Sequence, residues 1–408
     1  MTRRVVVIGA GAAGLMAAIT AREAGAAVTL VERTADGGRK ILISGGGRCN
    51  VLPEAAAPQR FVSESTPALV RSVLGNWPLG EQRRFIEGAL GVPLALEAGS
   101  GKLFPASNRA RDVRDALVNR ARAAGVELRF SSVVSAVAAR AHGWTVHASS
   151  GVLEAERVVV ATGGLSVPST GSDGFGLVLA RTLGHAMRPT YAALTPLTAA
   201  PAVHAALAGV SLPVRLDAAS PRERSVGRGG FLFTHRGYSG PAVLDVSHVA
   251  VRSQWPDAAT RATVRVAWLG ADAPDWSATL QDGRGRVTTA LGRYLPARLA
   301  AMLAREAGVP DERTCAQLRR DERAALRLVL TAFELPWTGD EGYRTAEVTG
   351  GGVALEEVDR RTLESRRAPG LFICGEVLDA FGPIGGHNFS WAWSTGRAAG
   401  LGAALSNR

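Results

Sequence analysis

Four branched apolar residues at positions 5–8, closed by Gly9, form the first clear hydrophobic pattern in the chain. A continuous apolar run of that length suits a strand buried on both faces. Glycines recur at Gly11 and Gly14, after which residues 15–24 predict a helix stopped by Gly25. Residues 28–31 predict a second, parallel strand ending at Glu32. The three glycines have separate tasks: Gly9 makes the tight turn, Gly11 lets backbone approach a pyrophosphate, and Gly14 lets the helix pack on the strand. The helix start, with Ala12 and Ala13, then turns free amides toward the phosphates. Glu32, about 20 residues on, can accept both ribose hydroxyls. A lone GxGxxG would say little, but here the strand, the helix, the small Ala18 and the distal acid accompany it.

Residues 35–50, ADGGRKILISGGGRCN, follow as a glycine-rich loop. Its backbone amides and cations suit a diphosphate and the edge of a flavin ring. The candidate contacts are Arg33, Gly38, Arg39, Lys40, Ser44, Gly45, Gly46, Gly47, Arg48, Cys49 and Asn50. Residues 54–96 are mixed helix and loop, interrupted by prolines. A helix is expected over about 109–124 and a strand over 126–130, the crossover returning the chain to the sheet. Residues 132–137 and 144–147 read as further strands, with Val134 an added cofactor contact. RVVVATGG, residues 157–164, is another buried strand running into Ala161, Thr162, Gly163 and Gly164, which brings bare backbone up to the cofactor. A helix over 174–183 follows, with Asp173 as its cap.

The pattern changes near residue 190. Alternating runs at 210–216, 230–234 and 262–269 predict antiparallel strands, and residues 283–331 read as helical, broken at Pro296 and Pro310. Cofactor-type sequence then returns: a buried strand at 371–374, Gly375 and Glu376, and Gly385 and Gly386 opening a helix from about Asn388. Free amides at such a start suit an anionic group, in a flavoenzyme the N1 and C2 carbonyl edge of the ring. The organisation expected is an α/β fold: a Rossmann-type cofactor domain with a parallel sheet, in two segments at 1–190 and 344–408. Between them lies an inserted lobe at 191–343, with a β-rich, barrel-like part over about 191–275 and a helical part over about 283–335.

At 408 residues the chain exceeds a typical single core. No apolar run approaches the ~18 residues of a membrane span, and MTRR leads into the first strand without a signal-peptide core, so a cytoplasmic location is expected. Cys49, Cys315 and Cys374 are far apart and make no CxxC or metal-ligand spacing, which argues against a zinc site, a disulfide staple and a redox role for Cys49. The formal charge of +11 invites a nucleic-acid partner. The arginines are spread along the whole chain, however, and no nucleic-acid motif accompanies them. Arg313, Arg319, Arg320, Arg323 and Arg327 read as a solvated face.

The fingerprint, RVVVATGG and the terminal block, in this order and spacing, resemble the two-dinucleotide-binding flavoproteins. GRKILISGGGRCN, KLFPASNRARDV, FLFTHRGYSGPAVLDVS, AEVTGGGVALEEVD and the GEVLD to GGHN block are similar to the BaiN-type NAD(P)/FAD-dependent oxidoreductase family, which contains aminoacetone oxidase. The resemblance covers nearly the whole chain. It implies a discontinuous FAD domain with the flavin at its junction with the insert, the pyrophosphate at residues 9–14, the ribose at Glu32, and the flavin near 44–50 and 385–388. Glu376 would face the ribityl and pyrophosphate region. The sequence departs from the family pattern at His387, where a tyrosine is usual, and at Arg366, where a lysine is common.

The leading expectation is a FAD-dependent oxidoreductase passing hydride between flavin N5 and a small organic molecule, with NADH or NADPH as candidate transient reductant. His387 is the first candidate for proton transfer and His235, in FTHRGYSG, the second. A second complete GxGxxG unit is missing, so no dedicated nicotinamide domain is visible. Two alternatives stay open: an oxidase of a small amine using oxygen, and an RNA-associated flavoprotein whose basic insert holds RNA.

Overall fold

A computed structural model describes residues 2–406 of the chain. These fall into two compact units, one built from the residues up to 192 together with those from 347 onward, the other from residues 193–346.

The first unit is organised on a five-stranded parallel sheet. Arg4–Ile8 lies at its centre, flanked on one side by Ala27–Val31 and then Glu127–Arg129, and on the other by Arg157–Val160 and then Leu371–Ile373. The three inner strands are largely buried, with the helices Ala12–Glu23 and His387–Leu405 and the antiparallel strands Gly143–Ala148 and Gly151–Ala155 packed against the sheet, and so read as continuous apolar runs. The edge strand Leu371–Ile373 belongs to the C-terminal segment, so the sheet is completed only by residues more than 350 positions from its first strand.

The first helix, Ala12–Glu23, packs against the C-terminal helix His387–Leu405. Small residues make that approach possible. A Cβ on Gly396 or Gly400 would run into the Ala13 or Ala17 carbonyl oxygen of the first helix. The unit also holds two three-stranded antiparallel sheets. One joins Val134–Arg140, Gly143–Ala148 and Gly151–Ala155; the other joins Leu52–Pro53, Lys102–Pro105 and Leu94–Glu97.

The second unit holds a seven-stranded sheet in which the long strand Ser211–Ala219 pairs antiparallel with Arg224–Phe233 on one side and Thr263–Trp268 on the other. Its core gathers Phe231, Phe233, Tyr238, Trp268 and Phe333. The helix Pro241–Arg252 packs on this sheet; the alternation in the flanking strands did not announce it. Four further helices lie between Trp276 and Thr331.

Three local expectations are corrected. The stretch at 35–50 is not all loop: Arg39–Gly47 is helical at its start and is interrupted at Ser44, Gly45 and Gly46, the latter two with left-handed φ. The strand expected over 230–234 starts earlier and runs Arg224–Phe233, whereas the strands expected after 132 are present, paired in an antiparallel sheet of their own. Asp173 sits one residue before the N-cap, Gly174, yet still accepts the Phe175 amide at 3.1 Å. No described helix is long and apolar enough to cross a membrane.

Candidate functional site

The carboxyl ends of the parallel strands bring the glycine-rich blocks together. Gly9 has a left-handed φ of 102°, and a Cβ there would stand 2.5 Å from the Ala161 carbonyl oxygen. A Cβ on Gly14 would strike the Gly9 carbonyl. Both glycines are therefore required by the protein's own packing. Gly11 is different: its φ of −75° suits any residue, and a Cβ would meet no atom within 4 Å. Open space beside bare backbone at a helix start is what a phosphate needs for close approach.

Glu32, 8% exposed, is fixed at the end of its strand. One carboxylate oxygen accepts the Ala10 amide at 2.7 Å and the other accepts the Thr34 amide and hydroxyl, each at 2.7 Å. Three of about four acceptor positions are thus engaged. One lone pair remains for a ligand hydroxyl, fewer than the two acceptances expected from the sequence. Val134 lies just past Ser132, whose amide donates to the Glu32 carbonyl at 2.8 Å.

The second centre is a charged network that pairing by sequence could not foresee. Lys40 Nζ donates to Glu376 at 2.8 Å and to Ser166 Oγ at 2.7 Å. Glu376 also accepts Ser166 Oγ at 2.6 Å and the Thr349 amide at 2.9 Å. Burial works to raise the Glu376 carboxyl, but the Lys40 charge and these hydrogen bonds outweigh it and hold it below its usual value. Thr349 Oγ1 in turn accepts the amides of Leu165 and Ser166, tying the segment after Gly164 to this carboxylate. Gly375 is clamped by the C-terminal helix: its amide donates to Thr395 Oγ1 at 3.0 Å and its carbonyl accepts Trp391 Nε1 at 3.1 Å.

The third group surrounds the start of the C-terminal helix. Gly386, with φ 85°, is the N-cap, and His387 opens the helix. His387 is 6% exposed and edge-on to Phe61, with ring centroids 6.1 Å apart. Burial, with the Arg60 charge adding to it, drives its pKa down to about 4, so at neutral pH the imidazole is uncharged. Asn388 engages both ends of its amide on Gly382, at 2.8 and 2.9 Å, which fixes the loop ahead of the helix. The glycine turn of the second block borders the same small sheet, at Phe104, that Gly386 meets at Leu52. Gly45 packs on Asn50 and Phe104, and Asn50 Oδ1 is buried without a hydrogen-bond partner among the described residues. Cys49 is fully buried, and burial pushes its thiol up to about 12, leaving no reactive thiolate.

Other expected residues have ordinary surface roles. Arg33 pairs with Asp173, Arg39 with Asp36 at 2.9 Å, and Arg48 with Glu97 at 2.8 Å while lying over the Phe104 ring. Gly38 packs on the buried Arg114. His235 belongs to the second unit, exposed in the turn between Arg224–Phe233 and Gly237–Ser239. Ser166, Thr349, Trp391 and Thr395 were not foreseen; the AEVTGGG motif contained Thr349 but gave no hint of its partner.

A family model described as the HI0933-like protein Rossmann domain matches residues 3–402. The chain belongs to this family of Rossmann-type flavoproteins, and the family and fold make it a FAD-dependent oxidoreductase. Among curated proteins it is 36% identical over 399 residues to the ribosomal RNA dihydrouridine synthase of Escherichia coli, covering 96% of this chain and 95% of that one. It is 32% identical over 421 residues to the 3-dehydro-bile acid delta(4,6)-reductase of Clostridium scindens, covering 98% and 99%. Among solved structures, the 3-ketosteroid delta1-dehydrogenase of Sterolibacterium denitrificans shares the fold, with a TM-score of 0.52 at 11% identity and full coverage of both chains.

Proposed function

We propose that this protein adds hydrogen across a carbon–carbon double bond conjugated to a carbonyl, and that this bond belongs to a uracil base of ribosomal RNA. The observation that carries the reading is the 36% identity to the E. coli ribosomal RNA dihydrouridine synthase along nearly the full length of both chains. Dihydrouridine differs from uridine by two hydrogens across the 5,6 bond of the pyrimidine, a bond conjugated to a ring carbonyl. The charge of +11 suits a polyanionic substrate.

The described residues fit an extended dinucleotide: open space at Gly11, one free lone pair on Glu32, and the unpartnered Asn50 oxygen. FAD, when bound, supplies hydride from its reduced ring. The amides at residues 11–14 bind its pyrophosphate and Glu32 accepts one ribose hydroxyl. The Lys40–Glu376 pair holds the strand ends beneath it. His387, neutral at working pH, acts as an N–H donor that orients the reacting carbonyl, and the proton added to carbon comes from solvent. NADH or NADPH is the reductant in this reading.

A second reading, reduction of a free small enone, is favoured by the C. scindens relative and by the resemblance to BaiN-type proteins. One anaerobic experiment separates the two. Protein, NADPH or NADH, and ribosomal RNA transcribed without modification are incubated, and nuclease digests are read by mass spectrometry. A gain of two hydrogens on a uridine, with binding that weakens steeply as salt rises, supports the RNA reading. Flavin reoxidation by simple enones with no change in RNA, even from chemically reduced enzyme, overturns it.

A further inference from the structure

Of the 47 basic residues in the chain, 45 are arginine. The two lysines, Lys40 and Lys102, both lie in the first unit beside the glycine-rich blocks. Arginine serves wherever a surface charge, a carbonyl clamp or an ion pair is needed. Lysine differs in presenting a compact point charge on a flexible stem, without a planar fork that demands several acceptors. Lys40 is accounted for by Glu376 and Ser166. Lys102 is not.

Lys102 begins the strand Lys102–Pro105, the middle strand of the small antiparallel sheet with Leu52–Pro53 and Leu94–Glu97. A Cβ built on Gly385 would lie 3.9 Å from Lys102 Cγ and 3.7 Å from His387 Cδ2, so the lysine stem flanks the backbone that opens the C-terminal helix. Two residues along, on the same face of the strand, Phe104 packs on Gly45 of the glycine turn. The ammonium makes no hydrogen bond or ion pair with any described residue. Its acidic neighbour across the strand, Glu97, forms its ion pair with Arg48, and the Lys102 charge adds only a weaker attraction to that carboxylate. His387, 94% buried at the same helix start, also has no hydrogen-bond partner among the described residues. Asn50 Oδ1 is orphaned as well. A cation with no hydrogen-bond partner and a buried imidazole thus flank Gly385, and an unpartnered buried amide oxygen lies beside Gly45.

We propose that Lys102 supplies the fixed positive charge for the pyrimidine edge of the flavin, the N1 and C2 carbonyl region that becomes anionic on reduction. The inference rests on the flavin reading above. A cation held in place before reduction, next to helix amides, stabilises that charge without reorganisation. The requirement is for charge at one point, which explains a lysine in a chain otherwise supplied with arginine.

The test uses FAD-loaded protein and reads the flavin rather than turnover. Lys102→Met, Lys102→Gln and Lys102→Arg are compared with wild type for midpoint potential and for sulfite affinity; sulfite adds to N5 of oxidised flavin and leaves the negative charge at N1 and C2. Both neutral variants should bind sulfite at least about tenfold more weakly. Their potential should fall by at least about 30 mV, the two-electron equivalent of tenfold. Lys102→Arg should stay within about threefold of wild type, equivalent to roughly 0.65 kcal/mol. Unchanged sulfite affinity and potential in Lys102→Met and Lys102→Gln with FAD retained would overturn the proposal. So would loss of FAD or of folding in all three variants, which would make Lys102 a structural residue. Wild-type protein that holds no flavin would instead refute the cofactor reading itself.

Discussion

Replacing Lys40 by methionine isolates the network at the strand ends. The ammonium is removed while the length of the side chain is kept, leaving the Glu376 carboxylate with the Ser166 hydroxyl and the Thr349 amide but no counter-charge. Breaking a buried ion pair from one side costs about 3–5 kcal/mol, because the remaining charge stays desolvated. Here the side chains keep 28% and 17% exposure, so residual solvation brings the cost to or below the bottom of that range, about 2–3 kcal/mol. For a unit of this size that corresponds to roughly 5–10 °C in Tm. The sign with pH is opposite in the two proteins. In wild type the folded Glu376 pKa lies below its ordinary value of 4.5, so its contribution is present above that value and is lost as pH falls through the folded one. In Lys40→Met burial is opposed only by the Ser166 and Thr349 hydrogen bonds and the folded pKa rises, so the penalty exists above it and disappears on acidification. The gap between the two proteins should therefore be widest near neutrality and close in acid. Urea titrations of the apoproteins, where cofactor binding cannot contribute, measure this directly. Adding Glu376→Gln should restore the variant to within about 1 kcal/mol of wild type. A loss below about 0.5 kcal/mol at pH 7, a loss that persists unchanged in acid, or no rescue by Glu376→Gln would refute the reasoning.

Three further outcomes follow from the same geometry. Gly400→Ala should destabilise by about 1–3 kcal/mol, since its Cβ meets the Ala17 carbonyl and overpacking outweighs the 0.5–1 kcal/mol that alanine gains in a helix; unchanged urea stability would mean the two helices separate freely. His387→Phe should slow turnover while leaving FAD bound, and wild-type rates in that variant would remove His387 from the chemistry. Because burial holds His387 neutral down to about pH 4, the pH–rate profile between pH 6 and 8 should carry no step assignable to it; a step near 6.5 that disappears in His387→Phe would contradict this.

The parallel core was legible because each of its parts is local: residues 5–32 hold a strand, a glycine turn, a helix and an acid in one stretch, and RVVVATGG repeats the strand-to-glycine transition. Glycine spacing alone distinguished turn from approach, and the structure keeps that distinction, with Gly9 and Gly14 held by packing and Gly11 facing open space. What stayed hidden were partners defined only by folding. Lys40 meets Ser166 across 126 positions and Glu376 across 336, and no periodicity carries such information. Glu32 was read as free for a ligand because nothing local shows that Ala10 and Thr34 occupy three of its acceptor positions. His387 is a proton-transfer candidate by sequence because an ordinary imidazole titrates near neutrality, whereas its enclosure by Phe61 and its proximity to Arg60 come from a segment more than 300 residues away. The helix Pro241–Arg252 escaped notice because its apolar face lies within a stretch otherwise dominated by alternating strands.

The central claim, that the two ends of the chain together grip FAD, is tested most directly by flavin content and uptake. Denatured protein should release FAD at close to one per chain. The refolded or stripped apoprotein should take it up again, and Glu32→Ala should weaken that uptake at least about tenfold, some 1.4 kcal/mol for one lost charged hydrogen bond and the disturbed turn beside it. Well-folded protein that is colourless and takes up no added FAD would contradict the account.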